Sequence, residues 1–125
     1  MRQVVAVPHR DGTDISHAIK ARGTFVFLCG QIGMDYQTKE WGDGIEAQTE
    51  IALASMDEAL QCAGATMEDV VSLQVFLAHP YYRDAFHQVY QRYFKTKPPV
   101  RSRYSVGMLA TECLVQIDAI AVIDE

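Results

Sequence analysis

Between Ile45 and Ala63 the apolar positions Ile45, Thr49, Ala52, Met56, Ala59 and Leu60 recur at three- and four-residue steps, and Gly64 ends the run. That spacing predicts an amphipathic helix, whose apolar stripe must lie against another element. Strands are written on either side of it. Phe25 to Ile32 is a β-branched and aromatic run ended by Gly30 and Gly33, and Val70 to His79 places Val71, Leu73, Val75 and Leu77 on one predicted face before Pro80. A second helix is predicted from about Tyr81 to Phe94, with Tyr82, Phe86, Val89, Tyr90 and Tyr93 inward. Residues 2–7 and Ile15 to Arg22 read as strands, Asp35 to Gly44 as a polar loop, and Thr66 to Asp69 as a capped turn. A final hairpin is predicted to join strands 101–107 and 113–123. Strands, then inserted helices, then more strands give an α+β domain with both helices on one face of a mixed sheet. No linker, repeat or low-complexity stretch divides it, so residues 1–125 are expected to form one domain.

A chain of 125 residues can bury such a core without disulfides or a structural metal. Its three cysteines, Cys29, Cys62 and Cys113, are odd in number and far apart. Buried, reduced thiols are therefore expected at Cys62 and Cys113, as in a reducing compartment. No C-x-x-C or paired-histidine spacing suggests a metal, and no cofactor is expected. The longest apolar runs are strand-length and no signal-peptide pattern precedes the first extended segment, so a cytoplasmic protein without a membrane partner is expected. Net charge is −5, from 11 basic and 16 acidic side chains, with no basic run. That balance weighs against a nucleic-acid binder, which needs a clustered cationic footprint. The nearest cluster, Lys95, Lys97, Arg101 and Arg103, suits a small anion pocket.

That cluster contains the sharpest functional signal, Pro98-Pro99-Val100-Arg101-Ser102. Two prolines block helix and fix an extended approach, so Arg101 should sit at a rigid position where a turn feeds a strand. Such an arginine can grip a carboxylate. Its planar fork makes two charge-assisted hydrogen bonds and so fixes a ligand's orientation as well as its presence.

With Ser16-His17-Ala18-Ile19, Phe25 to Gly33, Glu46-Ala47-Gln48-Thr49, Ala63-Gly64-Ala65, Asp69-Val70-Val71 and Val115-Gln116-Ile117-Asp118-Ala119, this segment makes the chain resemble the RidA/YjgF family of enamine/imine deaminases, also described as L-PSP endoribonucleases. The order and spacing of these pieces carry the resemblance over nearly the whole chain. It implies a homotrimer of chorismate-mutase-like subunits with active clefts between neighbours. It also implies that Arg101 binds the carboxylate of a 2-imino or 2-enamino acid, whose hydrolysis then needs only a held substrate, a placed water and stabilised charge.

The same resemblance marks departures. Gln116 stands where active members usually carry a water-positioning glutamate; an amide can hold water but cannot take its proton. Asp118, two residues on, shares a strand face with it. Cys29 stands where serine is common, in an edge formed with Gly30 and Gln31, and is expected as a small pocket-lining thiol rather than a nucleophile. His87 replaces an asparagine. Ile15 stands near the place of a tyrosine and makes one wall more apolar. Arg103 replaces a small residue and faces the same way as Arg101, which suits either a second carboxylate or a solvated charge at the strand edge. The expected function is cofactor-free hydrolytic deamination of a carboxylate-bearing imine. Two rivals stand beside it: a catalytically weak metabolite-binding member, favoured by Gln116, and a ribonuclease, disfavoured by the acidic balance.

Overall fold

The computed structural model describes residues 1–10 and 14–124. Strand β1 (Arg2–Val4) pairs antiparallel with β2 (Ile19–Ala21) as a separate ribbon. The main sheet holds β3 (Thr24–Ile32), β4 (Val70–Leu77), β5 (Val100–Ser105) and β6 (Val115–Ile123) in the order β3-β6-β4-β5. Helix α1 (Ile45–Cys62) lies between β3 and β4 in the chain, and α2 (Arg83–Tyr93) between β4 and β5.

The helices form where the periodicity places them, and α1 ends as Gly64 predicts. The Ala65 amide donates to the Leu60 carbonyl at 2.8 Å and the Gly64 amide to that of Gln61 at 3.0 Å, with Gly64 at φ 80°. This paired closure needs a left-handed residue, which glycine adopts without strain. Both helices cover one sheet face. Leu53, Met56 and Leu60 from α1, Phe86, Val89 and Tyr90 from α2, and Leu73, Val75 and Ile117 from the sheet are fully or almost fully buried. Each such side chain contributes roughly 1.5–3 kcal/mol by leaving water, and together they hold the helix layer on the sheet.

The predicted terminal hairpin does not form. Strand β5 pairs parallel with β4, Leu73 opposite Arg101, while β6 pairs antiparallel with β4 along its other edge and with β3. The physical reason is α2: a strand–helix–strand crossover returns the chain in its original direction, which delivers β5 as a parallel neighbour. A register shift between Val70 and Ser72 also turns Val70 inward, so the buried row of β4 is Val70, Leu73, Val75 and Leu77, with Val71 only half-buried. The strands predicted at 2–7 and Ile15 to Arg22 shrink to Arg2–Val4 and Ile19–Ala21. Cys62 is exposed at the last turn of α1, contrary to expectation, while Cys113 is buried.

The opposite sheet face is open and carries exposed aromatic rings. Phe25 is 53% exposed and Phe27 71%. Among the described residues no helix is long and apolar enough to cross a membrane.

Candidate active site

Arg101 is positioned from both directions. The turn that feeds it is held by Ser16, whose hydroxyl donates to the Pro98 carbonyl at 2.6 Å and whose amide donates to that of Pro99 at 3.1 Å. The Arg2 guanidinium adds bonds to the Lys97 and Pro98 carbonyls at 3.1 and 3.2 Å. Because Arg101 pairs with Leu73, whose side chain lies in the core, it projects toward the helix layer. There its guanidinium carbon lies 4.4 Å from the centroid of the Tyr90 ring, and Nη1 reaches His87 Nδ1 at 3.1 Å. Its Nε is buried, and among the described residues it has no hydrogen-bond partner and no carboxylate lies within ion-pair distance of the guanidinium. Burial first, and Arg103 second, lower its pKa. A guanidinium so desolvated, and not spent on a carboxylate of its own chain, is arranged to receive an anion.

His87 connects Arg101 to Asp14. Its Nε2 lies 2.9 Å from Asp14 Oδ2, the same oxygen that accepts a bond from Gln91 Nε2 at 3.0 Å. A guanidinium can only donate, so Nδ1 is the acceptor facing Arg101 and the ring proton resides on Nε2, which donates to Asp14. The His87 ring stacks on Tyr90 at 5.7 Å between centroids. Bonds from His87, then Gln91, hold the exposed Asp14 carboxyl below the usual carboxylate range, whereas burial pushes the Tyr90 hydroxyl up to about 12. Sequence reasoning missed Asp14 and Gln91. The four-residue step from His87 to Gln91 was visible on a helix face, but nothing local ties Asp14 to either.

Arg103 is exposed two residues beyond Arg101, on the same side, opposite Val75. Partial desolvation first, and the Arg83 charge second, lower its pKa, while Asp84, which pairs with Arg83 at 3.3 Å, raises it. Ile15 and Ser16 border a hollow of about 290 Å³ with Arg101 and Ser102.

Gln116 lies elsewhere. Its neighbours Val115 and Ile117 are in the core, so Gln116 projects onto the open face, where Nε2 donates to Asp118 Oδ1 at 3.2 Å. It opens into a hollow of about 450 Å³ lined also by Trp41, Phe76, Met108 and Cys113. Gly30 packs against it: a Cβ at residue 30 would stand 2.4 Å from Gln116 Nε2. Cys29 is exposed beside Gly30, at a register shift in β3. Gln31 turns back into the subunit, donating to the Cys29 carbonyl at 2.9 Å and accepting from the Ser55 hydroxyl at 2.6 Å. Within one subunit, then, Arg101, His87 and Arg103 lie on the helix side of the sheet, and Gly30 and Gln116 on the open side.

The chain has recognisable relatives. The profile of the family described as Endoribonuclease L-PSP matches residues 12–123. The chain belongs to the RidA/YjgF family. A RutC family protein of Sulfurisphaera tokodaii is 37% identical over 106 residues, 84% of each chain. A 2-iminobutanoate/2-iminopropanoate deaminase of Dermatophagoides farinae is 33% identical over 103 residues, 82% of this chain and 80% of that one. Among solved structures, YyfB of the Rid protein family from Yersinia pestis superposes with a TM-score of 0.84 over 98% of both chains at 26% identity. Family membership and the two-helix, mixed-sheet fold thus rest on sequence and on backbone alike.

Proposed function

We propose that this protein hydrolyses a reactive 2-imino or 2-enamino acid to its keto acid and ammonia, without metal or cofactor. The observation that carries the reading is the Arg101 fork: held at the end of a proline-fixed turn, partly desolvated, and unpaired with any carboxylate among the described residues. Its donors fit a substrate carboxylate. Deaminase names among the relatives agree with that ligand class.

The placement of Arg101 and Gln116 on opposite sides of the sheet supports a site assembled between subunits. In the proposed homotrimer, a neighbour's open face, with its Phe25 and Phe27 covered, brings Cys29, Gly30 and Gln116 against the Arg101 side of the next subunit. Arg101 then holds the carboxylate, backbone amides at Cys29 and Gly30 meet the reacting end, and Ile15, His87 and Arg103 shape the rest. Gln116 commits its amide N–H to Asp118, which leaves Oε1 to accept a bond from water. Placement and charge stabilisation supply the remainder of the rate.

Gln116 also favours a second reading, a metabolite-binding member with little turnover, because its amide cannot remove a proton from water. One experiment separates the two. With 2-aminoacrylate generated in situ by a dehydratase, keto-acid release faster than in the protein-free control supports the deaminase. Saturable ligand binding with no acceleration supports the binding protein.

A further inference from the structure

The lost glutamate leaves a gap in proton transfer that another group on the page can fill. We infer that His87, held by Asp14 as the Nε2–H tautomer, is the group that takes a proton from the attacking water and returns it to the departing amine. The inference rests on the deaminase reading and names the residue that replaces a carboxylate at position 116.

The geometry is the argument. Nδ1 of His87 is 3.1 Å from Arg101 Nη1, and Nε2 is 2.9 Å from Asp14 Oδ2. Nδ1 thus accepts the Arg101 Nη1–H, and a substrate carboxylate that takes over this N–H leaves the imidazole lone pair free beside the reacting carbon. The reacting carbon of a 2-imino acid is bonded directly to its carboxylate carbon, roughly 1.5 Å away. A carboxylate seated on Arg101 therefore brings that carbon within one water of Nδ1, the reach a general base requires. The other end of the ring faces a carboxylate that stabilises positive charge, the arrangement by which an acid orients a histidine base. Charged and titratable groups face His87 from three elements: Asp14 from the segment before β2, Arg101 and beyond it Arg103 from β5, and Tyr90 from α2.

The protons balance. Water oxygen bonds to the carbon of the protonated imine, the C=N π pair moves to nitrogen, and His87 Nδ1 takes the proton that water gives up. The neutral carbinolamine then accepts that proton from His87 on its amine. The C–N bond breaks as a lone pair on the hydroxyl oxygen forms C=O, and the hydroxyl proton leaves with ammonia as ammonium. No oxidant or reductant is involved, and His87 ends as it began.

The test follows kcat and KM for 2-aminoacrylate hydrolysis in the intact assembly. His87→Asn should lower kcat by about 100-fold with little change in KM. Asp14→Asn, which spares the ring, should lower kcat in the same direction by a smaller factor, because the ring loses the partner that orients it. Adding Gln116→Glu to His87→Asn should recover at least about tenfold of the lost kcat, a rescue no packing role predicts. A His87→Asn protein that keeps the parent kcat overturns the inference while leaving the deaminase reading intact. Failure of the parent to accelerate keto-acid release overturns both.

Discussion

Replacing Arg101 tests the anchor most directly, because the structure separates its binding role from any structural one. In Arg101→Lys one charged donor remains where two parallel bonds were possible; at roughly 1.5–3 kcal/mol per charge-assisted bond, kcat/KM should fall about 10- to 150-fold. Arg101→Ala removes both bonds and should lower it by about 10² to 10⁴-fold. Folding should respond differently. Arg101 has a buried Nε without a partner and no ion pair among the described residues, so truncation relieves a desolvation cost while sacrificing the contact with the Tyr90 ring. These opposing effects, with the bond to His87 Nδ1 also lost, are each about 1–2 kcal/mol and should leave the melting temperature within a few degrees of the parent and the assembly intact. Keto-acid release gives the kinetics, thermal unfolding followed by circular dichroism gives stability, and light scattering gives assembly mass. A lysine variant as active as the parent, or an alanine variant that unfolds, would show Arg101 to be a structural residue and remove the reasoning.

Other outcomes follow from the same geometry. Gln116→Glu in the parent should raise turnover of small imino acids by up to about tenfold, and an unchanged rate would mean that proton transfer is already served. Arg103 extends the Arg101 site along one face, so dicarboxylate imines should be preferred over monocarboxylate ones by about tenfold. That ratio should collapse in Arg103→Thr, and equal ratios in both proteins would leave Arg103 as a solvated surface charge. Phe27→Asp puts a charge on a residue that is 71% exposed in the subunit, so sedimentation should show dissociation without unfolding; an unchanged mass would place the assembly interface elsewhere.

The parts of this structure legible in sequence are those set by local period or local chain restriction. The three- and four-residue steps of α1, the stop at Gly64 and the turn ahead of Arg101 all depend on residues within a few positions of one another. Strand partnership does not. Nothing in residues 100–123 reveals that β5 lies along one edge of β4 and β6 along the other, because the direction imposed by α2 decides it. The Asp14–His87 contact spans 73 positions and pairs side chains that each look ordinary alone. Alternation showed that Gln116 and Asp118 share a face. Only the cross-strand register showed that this face is opposite to that of Arg101.

That opposition has a genetic signature. If each cleft draws Arg101 from one subunit and the Gly30–Gln116 edge from its neighbour around a ring, two inactive proteins should mend one another. An Arg101→Ala chain still carries a sound edge, and a Gly30→Val chain, whose side chain would strike Gln116, still carries a sound arginine. Dissociated and reassembled in equal amounts, they should yield about one working cleft in four, since each half is intact in about half of the subunits and the halves combine independently. A site contained within a single chain would yield none.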